Sequence, residues 1–64
     1  MIARQIKLLR AERKLTQEKL ARLSGISYNT LIKIENSATL NPTMRVLAGI
    51  ARALDVPVDR LMEE

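Results

Sequence analysis

Apolar residues recur at helical spacings of three and four through most of the chain, and four polar or turn-forming breaks divide them. Ile2, Ile6 and Leu9 mark the inward stripe of a first helix over about residues 2–13. Lys14 stands where that helix stops, a position that favours Gly or Asn, so backbone strain is expected there. Leu8 falls off the stripe and is expected to be partly exposed. Leu20, Ala21 and either Leu23 or Ser24 predict a second helix over 17–24, with Thr16 as its N-cap. Ser27 caps a third over 28–36, with Leu31 and Ile34 inward. Ser37 to Pro42 reads as a loop, because Pro42 disfavours helix at the residue before it. Thr43 caps a fourth helix with Met44, Leu47, Ile50, Ala51 and Leu54 inward. Gly49 costs that helix roughly 1 kcal/mol against alanine, so it is expected to permit close packing. Asp55-Val56-Pro57 breaks the chain again before a short helix over 58–62, with Leu61 inward. No cap completes a capping box, since Lys19, Thr30 and Val46 stand where Glu or Gln is needed. The expected fold is all-α, five helices in one domain over residues 1–64.

The second and third helices are joined only by the turn at Gly25, which without a Cβ enters the left-handed region cheaply. Helices joined so briefly cannot lie antiparallel. They cross steeply, which is the helix-turn-helix arrangement. With Leu31 and Ile34 turned inward, the third helix presents Tyr28, Asn29, Ile32, Lys33 and Asn36 outward. In such a motif the leading end of the second member enters the DNA major groove. Asn29 can make a two-point bond to adenine, Lys33 can reach guanine O6 and N7, and Ile32 or Tyr28 can touch a thymine methyl. An ordinary solvated helix face uses the same residue types. At Thr16-Gln17, the free amides and positive dipole end of the second helix suit a phosphate; capping alone also accounts for Thr16.

Composition narrows the choice. Of 64 residues, 47% are apolar, with one Tyr and no Phe or Trp, so the core is aliphatic. A domain of this size buries only about 60% of its unfolded surface, and its local signals must agree for it to fold. It has no Cys and no His, which removes disulfides, thiolate and imidazole metal sites, and the usual acid–base relays. No metal, cofactor or small-molecule ligand is expected. No apolar run approaches a membrane span and the start does not read as a signal peptide, so a cytoplasmic, prokaryotic, nucleoid-associated location is expected. The net charge of +4 is uneven. Residues 1–33 carry eight basic and two acidic side chains, net +6, and residues 34–64 carry three and five, net −2. A polyanion would meet the first half.

The run Leu15-Thr16-Gln17-x-x-Leu20-Ala21-x-x-x-Gly25-Ile26-Ser27-x-x-x-Leu31-x-x-Ile34-Glu35-Asn36 resembles the helix-turn-helix of phage repressor and Cro/C1-type regulators, the XRE family. The likeness continues upstream in Ile6-x-x-Leu9-Arg10 and downstream in Asn41-Pro42-Thr43 and Ala51-x-x-Leu54-x-Val56, so it covers nearly the whole chain. It implies a lambda-repressor-like bundle of five helices that binds operator DNA, commonly as a homodimer on a two-fold site. By position, Tyr28, Asn29, Ile32 and Lys33 correspond to base-reading residues, and Thr16, Gln17, Ser27 and Asn36 to residues at the DNA phosphates. Arg10 and Glu35 correspond to a structural salt bridge, which removes Arg10 from the DNA-facing charge. Val56, Pro57, Val58 and Arg60 correspond to a dimer surface. Three positions depart from the pattern. Ser37 replaces a usual Gly, so the end of the third helix is expected either to be looser or to take Asn36 as its left-handed residue. Leu40 replaces a frequent basic residue, and Ile32 is unusually apolar for a recognition position.

The expected function is therefore a sequence-specific DNA-binding transcription regulator, a repressor by family habit, with double-stranded DNA as its partner. The rival reading is a helix-turn-helix module that binds protein (antitoxin, adaptor or coactivator) through Leu8, Leu23, Ile32 and Leu40. An enzyme is not expected, since no histidine activates Ser24, Ser27 or Tyr28. If these 64 residues are the whole protein, no built-in ligand sensor is expected.

Overall fold

The computed structural model describes residues 2–36 and 42–63, and these hold five helices. They are α1 (Ile2–Glu12), α2 (Gln17–Ser24), α3 (Tyr28–Glu35), α4 (Met44–Leu54) and α5 (Val58–Leu61). The expected loop positions Ser37 and Leu40 lie outside the described residues.

The same two devices punctuate the chain three times. Thr16, Ser27 and Thr43 sit in extended backbone, and each side-chain oxygen accepts the amide of the residue three positions on: Lys19 at 3.0 Å, Thr30 at 3.1 Å and Val46 at 3.1 Å. Each cap satisfies a helix-start donor that has no intrahelical partner and contributes about 1 kcal/mol. The ends of α1, α2 and α4 close on a left-handed residue, Lys14 (φ 55°), Gly25 (φ 74°) and Asp55 (φ 60°). After each, the amide of the next residue reaches back five positions: Leu15 to Arg10, Ile26 to Ala21 and Val56 to Ala51, at 3.0 to 3.1 Å. This is the Schellman closure, and Leu15, Ile26 and Val56 pack against the core as its hydrophobic partner. The strain expected at Lys14 is present. Gly25 alone adopts its φ without a Cβ penalty.

The core is the set read from the sequence stripes: Ile6, Leu9, Leu20, Leu31, Ile34, Leu47, Ile50, Leu54 and Leu61 are all buried. Burying each such side chain contributes on the order of 1.5–3 kcal/mol. Of the two alternatives left open on α2, Ser24 is buried and Leu23 is 49% exposed. Two details differ. Ile2 is only half-buried and Ala3 takes the buried place beside Ile6. Met44, expected inward, is 64% exposed. It is the first residue of α4, and helical side chains lean toward the N-terminus, so Met44 projects past the end of the core while Leu47, one turn later, lands on it.

Gly49 sets how closely α2 and α4 approach. A Cβ on Gly49 would lie 2.5 Å from the carbonyl oxygen of Ser24, a backbone atom that cannot swing aside. The two helices therefore meet main chain to main chain at this point. The buried Ser24 hydroxyl has no hydrogen-bond partner among the described residues.

Gly49→Ala separates these effects. Alanine favours a helix over glycine by about 1 kcal/mol, but the overpacking should outweigh that gain and leave a net loss of about 1–3 kcal/mol in urea denaturation. Increased stability would mean that the α2–α4 approach is not tight.

Candidate nucleic-acid interface

α3 starts at Tyr28 because Ser27 fixes the preceding backbone (φ −72°, ψ 153°) and takes the Thr30 amide. The Ser27 hydroxyl also meets the Thr30 hydroxyl at 2.7 Å, either of which can donate. Thr30 thus joins the cap through its side chain, a role the Glu-or-Gln rule did not anticipate but which its place three residues after Ser27 could have signalled. From this start Leu31, Ile34 and Glu35 turn into the protein. Tyr28 (46% exposed), Asn29 and Lys33 face solvent, and Ile32 is half-buried. Ile32 therefore contributes part of its side chain to any outward contact. Asn36 is exposed and closes α3 with φ −93°, ψ 6°, its amide bonding to the Ile32 carbonyl at 3.0 Å. It is not the left-handed residue that the substitution at Ser37 suggested; the end of α3 keeps a right-handed backbone through Asn36.

At the start of α2, Thr16 is exposed with its hydroxyl oxygen engaged as the cap, and Gln17 occupies the first helical position. The Gln17 side-chain amide donates to Glu35 Oε1 at 3.0 Å, so one helix braces the other. Glu35 is 1% exposed and accepts two further bonds, from Arg10 Nε to Oε2 at 2.9 Å and from Arg10 Nη2 to Oε1 at 3.1 Å. Arg10 Nη1 also donates to the Leu15 carbonyl at 3.1 Å. One buried carboxylate thus joins α1, the turn before α2, the first residue of α2 and the last residue of α3. The fork geometry of guanidinium on carboxylate fixes angle as well as distance. Three donors on one carboxylate make this burial tolerable, because an unpaired charge there is strongly disfavoured. Arg10 is accordingly withdrawn from the surface charge, as its resemblance-based pairing with Glu35 implied.

Together these contacts tie the amide end of α2 to the last residue of α3. The Gln17 amide group has two N–H bonds; one is held by Glu35, and the other is left to donate to an anion. The remaining expected sites are elsewhere. Val56 and Val58 are half-buried against the core, Pro57 is exposed, and Arg60 is exposed with a 3.5 Å ion pair to Glu63. Leu8 on α1 is 48% exposed and Leu23 on α2 is 49% exposed; Leu40 lies outside the described residues. Among the described residues no group of His, Cys, Asp or Glu is arranged to hold a metal ion, and no helix is long and apolar enough to cross a membrane.

Comparison with known proteins agrees with this geometry. A family model described as helix-turn-helix matches residues 6–61. The chain is 43% identical over 58 residues to the uncharacterised HTH-type transcriptional regulator RghRB of Bacillus subtilis (strain 168), covering 91% of this chain and 42% of that protein. It is 40% identical over 58 residues to the HTH-type transcriptional repressor RghR of the same strain, covering 91% of this chain and 43% of that one. It therefore spans less than half the length of both relatives. Its fold superimposes on the crystal structure of SinR, a master regulator for biofilm formation, in complex with DNA, with a TM-score of 0.93 and 32% identity, covering 98% of this chain and 100% of that one.

The carboxylate network makes a sharp prediction. Arg10→Ala leaves Glu35 buried with Gln17 as its remaining donor, which should cost about 3–5 kcal/mol. For a domain of this size that approaches the entire stability of about 3–5 kcal/mol, so circular dichroism should find the variant largely unfolded at 25 °C. A loss under about 1 kcal/mol would place the pair among ordinary surface ion pairs.

Proposed function

The chain belongs to the helix-turn-helix family, and from that membership we propose that it is a sequence-specific DNA-binding transcription regulator, acting as a repressor. The observation that carries this reading is the tie between the amide end of α2 and the last residue of α3, through Gln17 and Glu35, which fixes the two helices of the motif while Tyr28, Asn29 and Lys33 stay exposed. DNA presents its chemistry in that order. Phosphates line the groove edge, where the first turn of α2 offers unpaired amides, a positive dipole end and the second Gln17 N–H. Base edges lie within the groove, where Asn29 matches adenine and Lys33 matches guanine, with Tyr28 and the exposed part of Ile32 against thymine methyls. Ser27 and Asn36, at the two ends of α3, are placed in this reading at the flanking phosphates, as is Thr16 beside Gln17.

The phosphate contacts position the protein and the base contacts specify the sequence. A homodimer on a two-fold operator places its two recognition helices roughly 34 Å apart, one turn of DNA. The surface assigned to that dimer is Val56, Pro57, Val58 and Arg60, whose exposed members Pro57 and Arg60 flank the short α5. The protein works in the cytoplasm, on the nucleoid, and the reading assigns it no catalytic step.

Selection of bound sequences from random duplex DNA at near-physiological salt tests the proposal. A palindromic enriched site is expected. On that site Asn29→Ala and Lys33→Ala should each lose about 1–3 kcal/mol of discrimination, while binding to unrelated duplex changes little. Gln17→Ala should instead weaken binding to all sequences together. Failure to enrich any sequence, or base-face variants that bind every duplex like the parent, would remove DNA reading from α3.

A further inference from the structure

A second surface carries chemistry that DNA reading does not use. Between the end of α2 and one side of α4 runs a groove of about 290 Å³, open to solvent, with Ser24 and Ile26 on one wall and Arg45, Val46 and Arg52 on the other. None of the eight residues assigned to bases or phosphates lines it. Arg45, Gly49 and Arg52 stand at i, i+4 and i+7, so the two arginines share the α4 face that Gly49 brings against α2. Both are exposed, and neither is paired with a carboxylate among the described residues; Asp55, three residues after Arg52, closes the helix without forming an ion pair to it. The arrangement thus joins two positive charges, unpaired among the described residues, to a partly apolar floor from Ile26 and Val46.

We propose that this groove docks an acidic segment of another protein, two carboxylates of which pair with Arg45 and Arg52 while an apolar side chain between them rests on Ile26 and Val46. Charge complementarity selects the sign of the partner, and spacing selects its form. Seven residues of helix separate the arginines by about 10.5 Å. One carboxylate, or a short diacid, does not span that distance, whereas acidic residues three apart on a polyproline II chain, which share a face at three residues per turn, come close to it at about 3.1 Å per residue. The open shape of the groove points the same way, since pockets for small molecules enclose their ligands. Guanidinium groups suit carboxylates through two parallel hydrogen bonds. The inference stands apart from the DNA reading, and duplex DNA enters its test only as a control.

The probe is a fluorescein-labelled peptide with two glutamates flanking a leucine–alanine pair, beside its glutamine counterpart and free glutarate. Titrated into the ¹⁵N-labelled chain, the acidic peptide should shift amides of residues 24–26 and 45–52. Fluorescence anisotropy should show at least tenfold weaker binding for the glutamine peptide, and a similar loss for the Arg45→Gln, Arg52→Gln double variant. That variant should keep the parent's thermal melt and bind duplex DNA within twofold of it. Arg52→Gln alone should lose about half of the effect on a logarithmic scale, which serves if the double variant melts early. The proposal is overturned by shifts confined to α3 and Gln17, by an absence of local shifts, by glutarate competing at the peptide's own concentration, or by a parallel loss of duplex affinity, which would assign the groove to the DNA interface.

Discussion

The carboxylate of Glu35 is the constraint on which the arrangement of the first three helices depends. It is buried to 1% exposure, so its charge has to be matched within the protein, and Arg10 and Gln17 match it with three hydrogen bonds. Because the donors come from α1 and from the first residue of α2, satisfying one charge fixes three helices relative to one another. An apolar contact would stabilise the same approach without fixing its angle, since hydrophobic burial is non-directional. A forked ion pair is directional. That property matters for a reading surface, whose side chains have to meet a partner at hydrogen-bond precision.

Tight punctuation supports this arrangement. Three N-caps and three Schellman closures hold the helix ends in register, and the closures draw Leu15, Ile26 and Val56 toward the core as the chain turns. Gly49 then lets α4 approach the end of α2 until main chain meets main chain. The core behind α3 is aliphatic and contiguous, so the face left outward has little freedom to rotate. In the proposed function this rigidity is what lets α3 read bases rather than merely touch them.

Much of this was legible in the sequence because the helices are short and their signals local. Thr16, Gly25, Ser27 and Thr43 mark their boundaries within a residue, and the stripes through Ile6, Leu20, Leu31, Ile50 and Leu61 name the core directly. The misses share a cause. Periodicity gives direction around a helix but not how far the core extends along it, so Met44 was placed inside although it overhangs the end. Neighbours at a stripe's edge it leaves open, as with Leu23 and Ser24, and the close approach of Gly49 accounts for the small Ser24 being the one that faces α4. Charge counting treated Arg10 as one of eight basic residues in a +6 half; only its pairing with Glu35, implied by resemblance, takes it inward. The basic groove was not legible at all, because Arg45 and Arg52 meet Ile26 only through the packing of α4 on α2.

The central claim is that the buried network positions the reading surface as well as holding the fold together. The most direct test is the duplex affinity of a variant that replaces the ion pair by apolar residues of similar size, Arg10→Met with Glu35→Leu. Such replacements are often neutral or stabilising, so folding and positioning can be read separately. The account predicts a folded protein whose affinity for its selected duplex falls at least tenfold, because Gln17 has lost its brace and α3 its fixed angle. A folded variant that binds that duplex as tightly as the parent would contradict it.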